Sequence, residues 1–417
     1  MHWPCQAGGG FSGTSGESSS FRYGFFDRTV NWIELVLASG EKTTCSRKDK
    51  ADLFWGTASS FGTLAIVTLL EIQLVEAKKY VELTYYRCNS MEEALKQMQT
   101  CTDDESIEYL DGVVLAKDWY AVCAGRLSNE VPQSARVQRF SRPHDPWFYL
   151  QAKKNTKSSS GPVVEAVPIV DYVFRYDRGG FWVGRYAFLY FFAPFTWFFR
   201  WLLDWFMHTR VLYHALHKAG LSKENIIQDV AVPFECASEF VEWLDRYFGY
   251  YPLWICPLLM RGKVPDSPYG IVTHKVKPSV NSPEYLMNFG VWGPGPDHRL
   301  KFLSLNRALE RKVSDLEGKK WLYAHAYYTE KEFWDIFDKP EYDALREKYQ
   351  ASYLPNIYQK VHVDVFAKEP QEAGFRGWVR RSDWTRGYYG IYKAIRGGDY
   401  LLPRKTKASV GATQTQP

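Results

Sequence analysis

Branched and aromatic residues crowd the stretch from Asn31 to Ala38, Ser39-Gly40 interrupts them, and Glu41 to Ser46 returns with mostly polar positions. That order predicts a hairpin of two antiparallel strands. Asp52 to Gly56 then reads as a small turn or helix, and Ser59 to Leu74 as a largely apolar run of the kind that makes a buried strand. Further along, the period lengthens to that of a helix. Ser90-Met91-Glu92-Glu93 and Thr329-Glu330-Lys331-Glu332 both carry the Ser/Thr-x-x-Glu spacing in which side chain and backbone cap each other. Asp297 to Leu316 predicts a long helix closed at Gly318. Gln151 to Gly161, made of Lys, Asn, Thr, Ser and Gly, predicts a surface loop, as does the run around Arg175, Asp177 and Arg178 with local ion pairs. Strands and helices alternate irregularly between residues 81 and about 361 with no internal repeat, which predicts an α+β fold.

One segment follows neither rhythm. From Phe181 to Met207 the chain is aromatic throughout, with fourteen uncharged residues between Arg185 and Arg200 and Pro194 among them. Crossing a bilayer takes about twenty apolar residues, so this segment is too short to span one. Its Trp and Tyr content suits the headgroup boundary, and we expect a membrane-facing element at the mouth of a lipid pocket.

Composition narrows the function. The chain has 417 residues, 46% hydrophobic and 24% charged, enough for a large core and two domains; aromatics reach 17%. Seven cysteines with no C-x-x-C pair predict reduced, buried thiols and a cytosol-facing compartment. His208, His214 and His217 lack a carboxylate or cysteine at ligand spacing, so no metal is expected. The net charge of +5 comes from residues 371–417, which hold nine Lys or Arg against three Asp or Glu. Trp378, Trp384, Tyr388, Tyr389 and Tyr392 interleave with those basic residues, a mixture that favours a membrane surface over any specific nucleic acid. There is no Walker loop and no complete G-x-G-x-x-G after a strand.

Chemistry concentrates near the N-terminus. Gly8 to Phe26 offers backbone amides unobstructed by side chains together with short hydroxyls, the donor set that holds a pyrophosphate or a flavin edge. The order of this segment, "ELVLASG" (Glu34–Gly40), "DLFW" (Asp52–Trp55) and "FGTLAIVTLLEIQL" (Phe61–Leu74) resembles the second half of the FAD domain in the PCMH-type, or vanillyl-alcohol-oxidase, flavoproteins. Within them the similarity is to the Δ24-sterol reductase (Diminuto) group, through "GTSGESSSFRYGFF" (Gly13–Phe26), "AKKYVELTY" (Ala77–Tyr85), "YPLWICPLLM" (Tyr251–Met260), "EKEFWDIFD" (Glu330–Asp338) and "YDALREK" (Tyr342–Lys348). These blocks span residues 8 to about 361 in the family's order.

The resemblance implies a partial FAD-binding domain over residues 1–80, a mixed α/β substrate or cap domain over 81–365, and a basic aromatic tail over 366–417, partly disordered. The family places an earlier FAD subdomain, and the sterol reductases a membrane helix, ahead of the glycine-rich segment; the residues before Gly8 hold neither, so half a cradle is expected. It further implies FAD bound by Gly13, Thr14, Ser15, Gly16, Glu17, Ser18, Ser19, Ser20, Phe21, Arg22, Tyr23, Gly24, Phe25 and Phe26, with Gly62, Thr63 and Ile66. NADPH would be the transient hydride source, a sterol or other isoprenoid lipid the substrate, and the cytosolic side of the endoplasmic reticulum membrane the location. Glu17, Tyr323 and Tyr327 are the candidate proton donors, and strand spacing would set Tyr323, His325 and Tyr327 on one face. Two alternatives stay open: a related flavin oxidoreductase with another lipid or a phenylpropanoid substrate, and a non-catalytic membrane-associated remnant without flavin.

Overall fold

The computed structural model describes residues 7–14, 16–133, 135–158, 161–260, 284–364 and 383–398. The hairpin forms as expected. Strand β1 (Val30–Leu37) runs antiparallel to β2 (Lys42–Ser46), with Trp32 opposite Ser46 and Val36 opposite Lys42. Strand β3 (Ala65–Ile72) pairs with the other edge of β1 to complete a three-stranded sheet. Val30, Ile33 and Leu35 point inward onto Phe11 and the helix Ala51–Thr57. β3 departs from the expected buried strand: it is an edge, and Ile66 is 66% exposed. An apolar run reads alike whether one or both of its faces are covered, and here only one is.

A second sheet has nine strands in the order β12-β9-β11-β10-β5-β6-β4-β8-β7. They are β4 (Tyr80–Cys88), β5 (Tyr109–Ala116), β6 (Trp119–Ser128), β7 (Arg136–Val137), β8 (Val163–Pro168), β9 (Asn225–Pro233), β10 (Leu253–Leu259), β11 (Tyr285–Pro294) and β12 (Lys319–Lys320). Every pairing is antiparallel except β7 with β8. Because successive side chains leave opposite faces of a strand, this sheet has two apolar sides. Leu110, Val230, Ile255 and Phe289 lie on one, under the helices Met91–Thr102, Ala237–Tyr247 and Arg299–Asp315. Val113, Trp254 and Leu258 lie on the other, together with Phe25, Trp147, Trp182 and Phe188.

The predicted caps are present: Ser90 accepts from the Glu93 amide, and Thr329 and Glu332 form a reciprocal capping box. Helices Glu330–Ile336, Lys339–Lys348 and Ile357–Val361 pack away from the large sheet. Their Phe333, Phe337, Tyr342 and Ile357 join Phe54 and Leu64, so both ends of the sequence build the core of the small sheet.

Of two expected surface loops, one begins as a half-buried helix and stays exposed at its end, and the other is interior. Helix Phe148–Asn155 takes up the start of the Gln151 to Gly161 stretch, with Phe148, Gln151 and Ala152 facing inward and the Gln151 amide donating to Glu165 at 2.6 Å. Arg178 is enclosed, its Nε 2.7 Å from Asp204 and its other nitrogens on the carbonyls of Phe140, Pro143 and Asp145. His208 Nδ1 lies 2.6 Å from Asp177. Charged groups leave water when partners meet their donors, which the loop-like composition concealed. The aromatic segment breaks near Pro194 into helices Gly184–Tyr190 and Trp197–Leu202 and a 3-10 turn, Asp204–Met207. No helix among the described residues is long and apolar enough to cross a membrane. In the tail, residues Asp383–Gly397 form a helix against Thr209–Ala219.

Lys320 Nζ lies 2.7 Å from Glu310 with both side chains enclosed, and it also donates to the His325 carbonyl. Lys320→Met strands the Glu310 carboxylate in the interior, and chemical denaturation should register a loss of about 3–5 kcal/mol.

Candidate active site

The glycine-rich segment opens as a short helix, Ala7–Gly13, and the chain turns at Thr14 with φ 42°. From there it is held down on the large sheet's second side. Trp321 Nε1 donates to the Thr14 carbonyl at 3.0 Å, the Cys256 thiol to the Glu17 carbonyl at 3.0 Å, and the Leu110 amide to the Ser18 carbonyl at 2.6 Å. A Cβ on Gly16 would sit 2.2 Å from the end of the buried Leu258 side chain, so any larger residue would displace that leucine. Ser20 Oγ accepts from the Glu17 amide at 2.8 Å, and helix Ser20–Tyr23 follows, ending at Gly24 with φ 73°.

The residues expected to bind FAD divide by location. Phe21 and Phe25 are buried in the two cores of the large sheet, Phe26 packs on the core of the small one, and Arg22 pairs with Glu108 at 2.9 Å. Ile66 stands on the exposed face of β3, and Ser15 lies outside the described residues. What remains is a set of small groups. Thr14 hydrogen-bonds Ser59 through their hydroxyls, which joins the first loop to the second. In that second loop Gly62 has φ 75°, Thr63 donates to the Ser60 carbonyl and accepts from Tyr342 at 2.9 Å, and the Ser60 hydroxyl is buried without a partner among the described residues. Short hydroxyls, backbone amides and one unmatched buried donor fit a phosphate or flavin edge.

Beside this segment the sheet presents acids and indoles. Asp111 on β5, Asp229 on β9, Trp254 and Cys256 on β10, and Asn288 and Trp292 on β11 share the phase that faces Glu17. Asp111 Oδ2 accepts from Arg175 at 2.7 Å, from the Tyr176 hydroxyl at 2.8 Å and from Trp254 Nε1 at 3.1 Å; its Oδ1 is buried without a partner among the described residues. Asp229 Oδ2 accepts from the Tyr323 hydroxyl and from Trp292 Nε1 at 3.3 Å. Gly290 sits opposite both Trp254 and Asp229, and a Cβ there would meet the Trp292 indole at 2.7 Å. Phe181 closes the group, stacked on Tyr176 at 3.9 Å and edge-on to Trp292 at 4.6 Å.

Glu17 and Tyr323 are open to solvent, Tyr323 by 45%, although protein surrounds both. They line a cleft. Burial pushes the Glu17 carboxyl up to about 7; Arg175 opposes this, and the charges of Asp111 and Asp229 add to it. Burial likewise raises Asp229 to about 6, against hydrogen bonds from Tyr323, Trp292 and Asn288. The Tyr323 phenol is pushed up by burial and then by Asp229. Tyr327 is elsewhere. Residues 321 to 328 form turns rather than a strand, and Tyr327 packs with Phe302 and Ile226 on the opposite face of β9 from Asp229, so the expected single face of Tyr323, His325 and Tyr327 does not exist.

No family model matches the sequence. Individual relatives do. A Delta(24)-sterol reductase from Macaca fascicularis is 28% identical over 360 residues, covering 85% of this chain and 67% of the relative. The enzyme of that name from Arabidopsis thaliana is 27% identical over 88% of this chain and 69% of its own length. The chain is a homologue of the Delta(24)-sterol reductases. Cytokinin dehydrogenase 9 of Oryza sativa subsp. japonica is 26% identical over 38% of this reductase homologue and 30% of its own length, consistent with a PCMH-type fold.

Of the residues named from the sequence, Glu17 and Tyr323 lie at this cleft; Asp111, Asp229, Trp254 and Trp292, which lie there too, were not named. A signal existed: Asp111 and Asp229 are single acids set among apolar strand residues, at inward positions where a carboxylate is costly.

Glu17 and Asp229 bind protons more tightly folded than unfolded, so their contribution to stability is complete below the ordinary carboxylate values of 4.5 and 3.8. It disappears as pH rises through about 6 and 7. The melting temperature should fall across that window, and Glu17→Gln should flatten its upper part. Gly290→Ala should destabilise the fold by about 1–3 kcal/mol in denaturant titrations by displacing the Trp292 indole.

Proposed function

We propose that this chain reduces the Δ24 side-chain double bond of a sterol, with FAD as its cofactor and NADPH as the hydride source. The observation that carries the reading is a glutamate carboxyl set among acids and indoles in a cleft, its pKa pushed up to about 7, beside a loop suited to a flavin, in a homologue of Delta(24)-sterol reductases. FAD, when bound, would supply hydride; Thr14, Gly16, Ser18 and Ser19 with Ser59, Ser60, Gly62 and Thr63 are the residues that would hold it.

An isolated alkene needs a proton as well as a hydride, and Glu17 is the group able to give one near neutral pH. Burial first, and then the charges of Asp111 and Asp229 against that of Arg175, keep the proton on Glu17 where an ordinary glutamate would have lost it. Asp229 in turn fixes Tyr323, whose ring forms part of the cleft wall. Proton addition puts positive character on a tertiary carbon, which the ring faces of Phe181, Trp254 and Trp292 would stabilise. The reading extends to a sterol drawn from a membrane surface, on the cytosolic side of the endoplasmic reticulum.

The test begins with the purified chain incubated with FAD and desalted, followed by a Δ24 sterol and NADPH. Retained visible absorbance and a sterol product heavier by two hydrogens are expected. A chain that retains no flavin, or a flavin whose reduced form a Δ24 sterol does not reoxidise, overturns the reading. Turnover should fall as pH rises through about 7. Glu17→Gln should lower it about 10²–10⁴-fold while flavin absorbance is kept. Asp229→Asn removes a charge that holds the Glu17 proton, so the alkaline limb should move to lower pH.

A further inference from the structure

Large apolar side chains are left in solvent along one helical face of the aromatic segment. Trp197, Phe198, Trp201, Leu202 and Trp205 follow the spacing of a continuous stripe, between 44% and 56% exposed, and Phe192 just before them is 74% exposed. A stripe of this kind is uncommon on a monomeric soluble surface and marks a contact. Its charge has one sign. Between residues 178 and 223 the sequence holds a single acid, Asp204, which is buried on Arg178, against Arg185 and Lys218, both exposed, and the half-buried Arg200; Arg210 keeps two of its guanidinium nitrogens inside the protein.

A second, independent piece adjoins it. The helix Asp383–Gly397 lies beyond the blocks that resemble the sterol reductases, and it is clamped to the aromatic segment by small residues. A Cβ on Gly387 would sit 2.4 Å from the Tyr190 ring, and one on Gly390 2.4 Å from the Ala215 carbonyl, so Gly387 seats this helix on an aromatic ring and Gly390 on the backbone of helix Thr209–Ala219. Arg386 pairs through both terminal nitrogens with Glu224. The clamp fixes which side of the helix faces out: Tyr388, Tyr392 and Ile395, at i, i+4 and i+7, are exposed by 58%, 52% and 43%. Tyr388 also meets the Phe191 ring at 4.9 Å, next to Phe192. Lys393 and Arg396 lie over Tyr389 and Tyr392.

We propose that the stripe on residues 192–205 and the outer face of the helix Asp383–Gly397 form one platform that seats on an anionic lipid bilayer. Indole and phenol rings enter the headgroup region while the basic residues face lipid phosphates, and the near absence of acids from residues 178–223 removes the repulsion that would oppose this. The bilayer is favoured over a protein partner because both pieces combine Trp and Tyr with Lys and Arg, the interfacial composition. The proposal deepens the lipid-substrate reading above, on which its purpose rests: the platform would hold the cleft at the surface from which a sterol is drawn.

The full chain should co-sediment with phosphatidylcholine vesicles containing phosphatidylserine, more weakly with phosphatidylcholine alone, and less as salt rises. A triple change of exposed residues, Trp197→Ser, Phe198→Ser and Trp201→Ser, should weaken binding at least about tenfold, and Tyr388→Ser with Tyr392→Ser by a smaller factor. Both variants should keep the wild-type circular dichroism and the wild-type flavin absorbance. Lack of vesicle binding by the wild type, wild-type binding by either variant, or a concentration-dependent dimer that competes with vesicles would overturn the platform. Flavin absorbance separates the two readings: a chain that binds vesicles but no flavin keeps the platform and loses the redox function.

Discussion

The structure turns on the enclosure of acidic groups on one side of a β-sheet. Asp111 and Asp229 leave water on strands that are otherwise apolar, and each is tolerable only because side chains from other segments donate to it. Those donors are Arg175, Tyr176, Trp254, Trp292 and Tyr323, so satisfying two carboxylates brings the aromatic segment, the β10–β11 pair and the turn after β12 to one place. The glycine-rich segment closes the arrangement and adds Glu17. A carboxylate taken out of water there cannot cheaply ionise, and the two acids beside it add to that cost while Arg175 opposes it.

Rings play two parts in this molecule. Inside, Phe181, Trp182, Trp254 and Trp292 pack at centroid separations of 4.6 to 6.4 Å and make a wall that excludes water without offering competing acceptors. Outside, Trp197 to Trp205 and the tyrosines of the last helix are uncovered. The high aromatic content is thus the sum of a cleft lining and a surface, joined by the short helices around Pro194. Arg178, Asp204 and His208 hold the base of that segment by buried ion pairs, which keeps the outer stripe in a fixed orientation relative to the cleft.

Much of the local structure was legible in the sequence because its causes are local. The Ser39-Gly40 hairpin, the capped starts at Ser90 and Thr329 and the long helix before Gly318 all rest on residues within a few positions of one another. The α+β class and the sterol reductase relationship were legible too, through motifs spread across the chain. The site was less so. Asp229 and Tyr323 meet across a turn that strand periodicity misread, and Glu17 acquires its chemistry from burial against the large sheet, with smaller effects of Asp111 and Asp229, none of which stands near it in sequence. Gln151 looked solvated because its helix is polar on the outside, and Ile66 looked buried because strand composition does not say whether a sheet has a covered or an open face.

The central claim is that Glu17 keeps its proton to near neutral pH because the protein around it withdraws it from water, with the charges of Asp111 and Asp229 adding to the effect. Infrared difference spectroscopy of the intact chain across a pH titration, comparing wild type with Glu17→Gln, measures this directly. A protonated-carboxyl band that is absent from Glu17→Gln and disappears with a midpoint of about 7 is the predicted result. A Glu17 band lost near the ordinary glutamate value of 4.5 would contradict it, and Glu17 would then be no proton donor at neutral pH.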